Sequence, residues 1–144
     1  MKMMIKGSSV FVLLIIVLSC ATTPRAIPEK YNLDNELEAV DRVYAPNNSS
    51  WDRVDNQSVI LRTNVTDNYL LVLSRPMYGR MHIIITEYSQ GISHNGEGYN
   101  ITPGVNWISA KSATGIIDDY IIEKIYKLEG QEQARKIIEH LRIS

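Results

Sequence analysis

Thiol chemistry is all but missing from this chain, which holds one cysteine, Cys20, in 144 residues. A lone cysteine cannot close an internal disulfide, complete a thiolate metal site or run a dithiol exchange. The fold must therefore stand on its apolar core. Histidine is scarce as well: His82, His94 and His140 are the only three, and no two share a ligand spacing of i, i+4 on a helix or i, i+2 on a strand. There is no Gly-x-x-x-x-Gly-Lys phosphate loop and no Gly-x-Ser-x-Gly elbow; Gly91-Ile92-Ser93 comes closest and breaks at Asn95. Charge of one sign is not in excess either, with 15 Lys and Arg against 16 Asp and Glu. Such a balance carries no electrostatic footprint for nucleic acid and no polybasic lipid-binding cluster. The expectation is a domain with no metal, no cofactor, no nucleic-acid partner and no catalytic residue.

What is present begins with an address. Lys2 and Lys6 form a short basic region, Gly7 to Ser9 a small spacer, and Val10 to Leu18 an unbroken apolar run. This is a secretory signal pattern, and the run is shorter than the roughly 20 apolar residues that span a bilayer core. Val17-Leu18-Ser19-Cys20 resembles a bacterial lipobox. That resemblance implies cleavage before Cys20, a diacylglycerol on its thiol and an acylated amino group. The membrane would then be met through the N-terminal lipid, since several acyl chains at about 0.8 kcal/mol per buried methylene hold far more firmly than one. Residues 1–19 form the signal peptide on this reading, and their loss leaves 13 basic against 16 acidic residues, a net charge of −3. Because Ala21 is not acidic, the same resemblance implies sorting to the outer membrane, with the domain facing the periplasm.

Residues 20–32 read as the lipidated cysteine and a tether, in which Pro24 and Pro28 block a helix. Twelve such residues reach at most about 40 Å. Residues 33–144 then make a single small domain. Leu33, Leu37, Val40 and Tyr44 lie at helical spacing with Asp34 as an N-cap, which predicts a short helix over 34–44. Asn47 to Ser50 reads as a turn. Ser58–Thr63 and Asn68–Ser74 are aliphatic runs around a turn at Asn64, a β-hairpin that Arg75-Pro76 ends. Met81–Tyr88 and Val105–Ala110 read as further strands. Residues 116–128 fit either a helix or a buried strand, and strand is the preferred reading. From Gly130 onward, Ala134, Ile137, Ile138 and Leu141 make one apolar stripe, and Glu132 and Lys136 are placed for an i,i+4 pair worth about 0.2–0.5 kcal/mol.

The fold class expected from these elements is α+β: a small antiparallel sheet or partly open barrel of about five strands, a short N-terminal helix and a C-terminal amphipathic helix. The succession Trp51-x-x-Val54-Asp55, Ser58-Val59-Ile60-Leu61, Tyr69-Leu70-Leu71-x-Leu73 before Arg75-Pro76, and Ile122-x-x-Ile125-Tyr126 resembles a family of small uncharacterised proteobacterial lipoproteins. The likeness covers residues 51–128. It implies a small β-rich fold and an envelope address, and brings no activity. Members of that family carry a cysteine just after the proline and another in the last strand, where this chain has Met77 and Tyr120.

Two functions follow. The first is a non-enzymatic binding or assembly module of the envelope, meeting a partner through a strand edge or an aromatic patch near Trp107. The second is a small-ligand binder or enzyme built on the loop Ser89–Gly98, with His94 and Glu97 as its polar groups. Asn95-Gly96 in that loop is also the signature of a hairpin tip. Asp118-Asp119 with Asp52 and Asp55 are the nearest approach to paired carboxylates, and acids so placed are more often solvated.

Overall fold

The computed structural model describes residues 26–79, 81–84 and 98–143. Its centre is a hairpin whose two strands are apolar on both faces. β4 (Ser58–Arg62) and β5 (Asp67–Leu73) pair antiparallel, Ser58 opposite Val72 and Arg62 opposite Asn68. The turn between them is closed by Asn64, whose side-chain oxygen accepts the amides of Thr66 and Asp67, both at 2.8 Å. Continuous runs such as Val-Ile-Leu and Leu-Leu-Val-Leu suit a strand covered on both sides, where both members of the period-two alternation are buried.

Around this hairpin lie β1 (Glu38–Ala39), β2 (Val43–Pro46), β3 (Ser50–Arg53), β6 (Met81–Ile84), β7 (Gly98–Ile101), β8 (Trp107–Ser112), β9 (Ile117–Glu129) and the helix α1 (Gly130–Ile143). A seven-stranded sheet runs in the order β3-β4-β5-β9-β8-β6, with β1 on β9 as well; β2 and β7 form a separate two-stranded ribbon. Every pairing is antiparallel. The 13-residue β9 organises the sheet. One edge takes β5, from Ile122 to Glu129; the other takes β8 against Ile117–Ile121 and then β1 against Tyr126 and Lys127.

The register of β9 slips between Val72, which faces Lys124, and Leu73, which faces Ile122. Glu123 is thus an extra residue, a β-bulge. Its consequence is a choice of faces. Tyr120 and Ile122 join Ile125 in one core cluster, while Tyr126 and Leu128 enter the other. On a straight strand Ile122 and Ile125 would point to opposite sides.

The first cluster, with Val59, Leu61, Leu71 and Leu73, is capped by the ribbon through Val43, Ala45 and Ile101. Tyr99 packs against it from the ribbon, and burial pushes its phenol up to about 12. The second cluster, with Ile60, Leu70 and Val72, is capped by Ala134, Ile137 and Leu141 of α1 and by the N-terminal segment through Tyr31, Leu33 and Leu37. The stripe read for α1 is the stripe that packs. Gly130, at φ +75°, lets the chain turn from β9 into α1 without an intervening loop, a conformation that a side chain would strain.

The predicted helix over 34–44 is not there. Leu33 starts a single turn, its carbonyl accepting the amides of Glu36 and Leu37, and the chain then extends into β1 and β2. The free edge of β9 offers main-chain partners to Glu38, Ala39 and Val40, and that tertiary pairing overrides the local spacing. Tyr44, read as part of the apolar stripe, is 45 % exposed. Among the described residues the sheet runs from β3 to β6 and is not a closed barrel, and it has more strands than the five expected. Short β1, β2, β3 and β7 account for the excess. The choice of strand for 116–128 holds, as does the 58–74 hairpin; residues 85–88 of the predicted third strand lie outside the described residues.

The packed chain also begins early. Ile27 lies against the second cluster and Tyr31 is fully buried, so residues 27–32, read as tether, are part of the domain.

Candidate functional site

The polar centre of the domain is Asp55, in the turn between β3 and β4. Its Oδ2 accepts hydrogen bonds from Tyr31 Oη at 2.7 Å and Lys30 Nζ at 3.0 Å, and its Oδ1 from the Gln57 amide at 2.9 Å and Ser58 Oγ at 2.8 Å. Burial pushes the carboxyl up, yet these donors outweigh it and hold the carboxyl below the usual range. Burial, reinforced by the adjacent carboxylate, pushes the Tyr31 phenol far up. A general acid or base works best with a pKa near the working pH. Here the acid is held ionised and the phenol held neutral, which suits a clasp on the N-terminal segment rather than proton transfer. Tyr126 completes it, donating to the Tyr31 carbonyl at 2.9 Å and accepting the Leu33 amide at 3.0 Å.

The other acids singled out are committed separately. Asp52 pairs with Arg62, and Asp34 accepts Lys124 at 2.5 Å. Asp118 and Asp119, adjacent on β9, point to opposite faces: Asp119 accepts Ser109 Oγ at 2.5 Å, while Asp118 lies 3.5 Å from Arg75, whose guanidinium also covers the Tyr120 ring at 4.4 Å. They do not face one another across a cleft. Among the described residues no group of three or more His, Cys, Asp or Glu is placed to hold a metal ion.

Trp107 opens β8 opposite Ile121. The next pair, Ile108 and Tyr120, belongs to the ribbon-side cluster, so Trp107 and Ile121 lie on the other face, that of α1. The helix covers the Tyr126 and Leu128 end of β9 and leaves this end open. Ile121 is 45 % exposed and Ile117, the partner of Lys111, 55 % exposed; Trp107 is half-buried. Val105 at 56 % and Ile116 at 62 % stand just beyond the two strands. The result is a strip of branched aliphatic side chains with one indole, crossed by the Ser109–Asp119 hydrogen bond. Large apolar residues grouped in this way mark interaction surfaces.

Of the residues read from the sequence as lipidation or binding candidates, Trp107 alone is among those described. Cys20, His94 and Glu97 lie outside the described residues, and His82 is described only as a backbone position of β6. His140 is exposed on α1. Sequence reading missed the roles of Tyr31, Lys30, Ile117 and Ile121. A signal for the last two existed, because once 116–128 is a strand, alternation with Tyr120 and Ile122 turns Ile117 and Ile121 outward. No helix among the described residues is long and apolar enough to cross a membrane.

Residues 1–142 match the model of the family of unknown function DUF6491, and the chain belongs to that family. No curated protein and no solved structure matches it.

Proposed function

We propose that this DUF6491 member is a lipid-anchored lipoprotein of the bacterial envelope, held in the outer membrane through acylated Cys20 and facing the periplasm, where it serves as a non-enzymatic binding or assembly module. The observation that carries the binding role is the strip at Trp107, Ile117 and Ile121, apolar surface left open beside the buried Ile108, Tyr120 and Ile122 of the same two strands. The anchor is supported by the lipobox-like Val17-Leu18-Ser19-Cys20.

The test is cross-linking in cells followed by mass spectrometry of what co-purifies, with Cys20→Ser as the unanchored control. The wild-type protein is expected in the outer-membrane fraction with acyl mass on Cys20, and the variant unprocessed or displaced. Finding Cys20→Ser still in that fraction sinks the anchor. A clear loss of function in His94→Ala with unchanged folding would replace the binding module with the 89–98 loop as the working site.

A further inference from the structure

We propose that the Trp107 strip rests on the lipid surface to which the chain is tethered, so that the domain is held on the membrane in one orientation. This rests on the proposed acylation of Cys20 and names what the open surface meets.

The tether decides it. Because Ile27 already packs on the core, residues 21–26 alone separate Cys20 from the folded domain. From Cys20 to Ile27 the chain reaches at most about 25 Å. A domain of this size has a radius of gyration of about 13 Å, so the tether is no longer than the domain is wide. The face from which the chain departs must then lie toward the bilayer.

That face is the one carrying the strip. Ile27, Tyr31 and Leu33 cap the cluster on the α1 side of the sheet, which is also the side of Ile121 and Trp107. The N-terminal segment is pinned by Lys124 through Asp34. Ile121 stands three residues from Lys124 on β9, about 10 Å along a strand. The chain therefore enters the fold on the face that carries the open apolar surface, by way of Tyr31 at the β3–β4 turn.

The chemistry suits a lipid boundary. An indole flanked by isoleucines is at home at the level of the head groups, with its apolar body inward and its N–H toward water. Exposed Lys111, paired with Ile117, adds a cation on the same face, and the acid of the strip, Asp119, is engaged by the Ser109 hydroxyl. Such a contact adds to an acyl anchor without being able to replace it.

The experiment uses full-length protein purified in detergent and reconstituted into vesicles of phosphatidylethanolamine and phosphatidylglycerol. The chain has two tryptophans, Trp51 and Trp107, and Trp51 packs against the ribbon-side cluster on the opposite face. Lipids brominated near the head group should quench Trp107 in the Trp51→Phe variant, and leave Trp51 unquenched in Trp107→Phe. If Trp51→Phe folds poorly, the difference between wild type and Trp107→Phe reads the same quantity. Ile121→Asp should reduce the quenching by about threefold while the protein still floats with the vesicles. Acyl mass on Cys20 with flotation but no bromine quenching of Trp107 overturns the docking and leaves the anchor standing. An unmodified Cys20 overturns both. Protection of Trp107 from aqueous iodide without bromine quenching also overturns the proposal, and assigns the strip to a protein or to a second copy of the chain.

Discussion

Tyr126, in β9, donates its hydroxyl proton to the carbonyl oxygen of Tyr31 at 2.9 Å, and its hydroxyl oxygen accepts the Leu33 amide at 3.0 Å. One phenol thus satisfies two buried main-chain groups of a segment that has few regular partners of its own. Asp55 holds the same segment from the other side through the Tyr31 hydroxyl. The stability of the N-terminal segment is concentrated in these contacts.

Replacing Tyr126 by Phe keeps the ring in the core and leaves the Leu33 amide and the Tyr31 carbonyl unpaired. A loss of about 1–3 kcal/mol is expected, read as a lower midpoint in urea denaturation. A change below about 0.5 kcal/mol would mean that the segment finds other partners at no cost.

Acid should undo the Asp55 clasp. The folded-state pKa of Asp55 lies below its ordinary value, so its contribution is present in full above the unfolded value of about 3.9 and is lost as pH falls through the folded one. Asp55→Asn is expected to be less stable than wild type at pH 7, with the difference shrinking as pH falls below about 4. Parallel stability curves for the two proteins across that range would assign acid sensitivity to other groups. The raised Tyr31 phenol acts at the opposite end: its contribution is complete below about pH 10 and declines as pH rises beyond it.

Deleting Glu123 removes the bulge. Lys124 then follows Ile122 directly, so simple alternation keeps Tyr120 and Ile122 on the ribbon-side face with Ile125, and Ile117, Asp119 and Ile121 on the other, with Leu73 still opposite Ile122. The deletion is therefore expected to keep a cooperative thermal transition, and Glu123→Ala should change stability by no more than about 0.5 kcal/mol. Loss of cooperative unfolding in the deletion variant would show that the extra residue is itself needed to bend β9 between its two halves.

Gly98 lies where the ribbon crosses closest. A Cβ there would stand 2.5 Å from the Ala45 carbonyl oxygen and 2.9 Å from the Pro46 Cα, both main-chain atoms that cannot swing aside. Gly98→Ala should open the pairing of β2 with β7 and cost about 1–3 kcal/mol, seen as faster amide exchange at Tyr44 and Asn100 ahead of the central strands. Unchanged exchange in the ribbon would disprove that close approach.

The elements that could be read from the sequence were those whose pattern is local. The 58–74 hairpin announces itself through two apolar runs around Asn64, and α1 through the stripe from Ala134 to Leu141. The false helix over 34–44 arose from the same kind of local pattern, because Leu33 and Leu37 are buried as a helix would bury them but one turn suffices for it. What made Glu38 and Ala39 a strand was the vacant edge of β9, a fact about residues 126 and 127. The Asp55 clasp was half legible: Asp55 and Tyr126 both stand in the succession that resembles a lipoprotein family, while Tyr31 looked like part of a spacer. Nothing in the region around Tyr31 signals burial, since its partner lies in the β3–β4 turn.

The sequence by itself determined the period of each central segment, and with it the two apolar faces of β4 and β5 and the single face of α1, since period two and period 3.6 are properties of the backbone that side chains only have to match. It also determined that no disulfide could support the fold, because one cysteine has no partner. Tertiary structure alone decided which face each end of β9 presents, through one extra residue at Glu123, and which short segments became strands, through main-chain groups left unpaired at a distant edge. It decided as well that Ile117, Ile121 and Trp107 remain open, because α1, leaving β9 at Gly130, packs back over the far end of the sheet and ends before it reaches them.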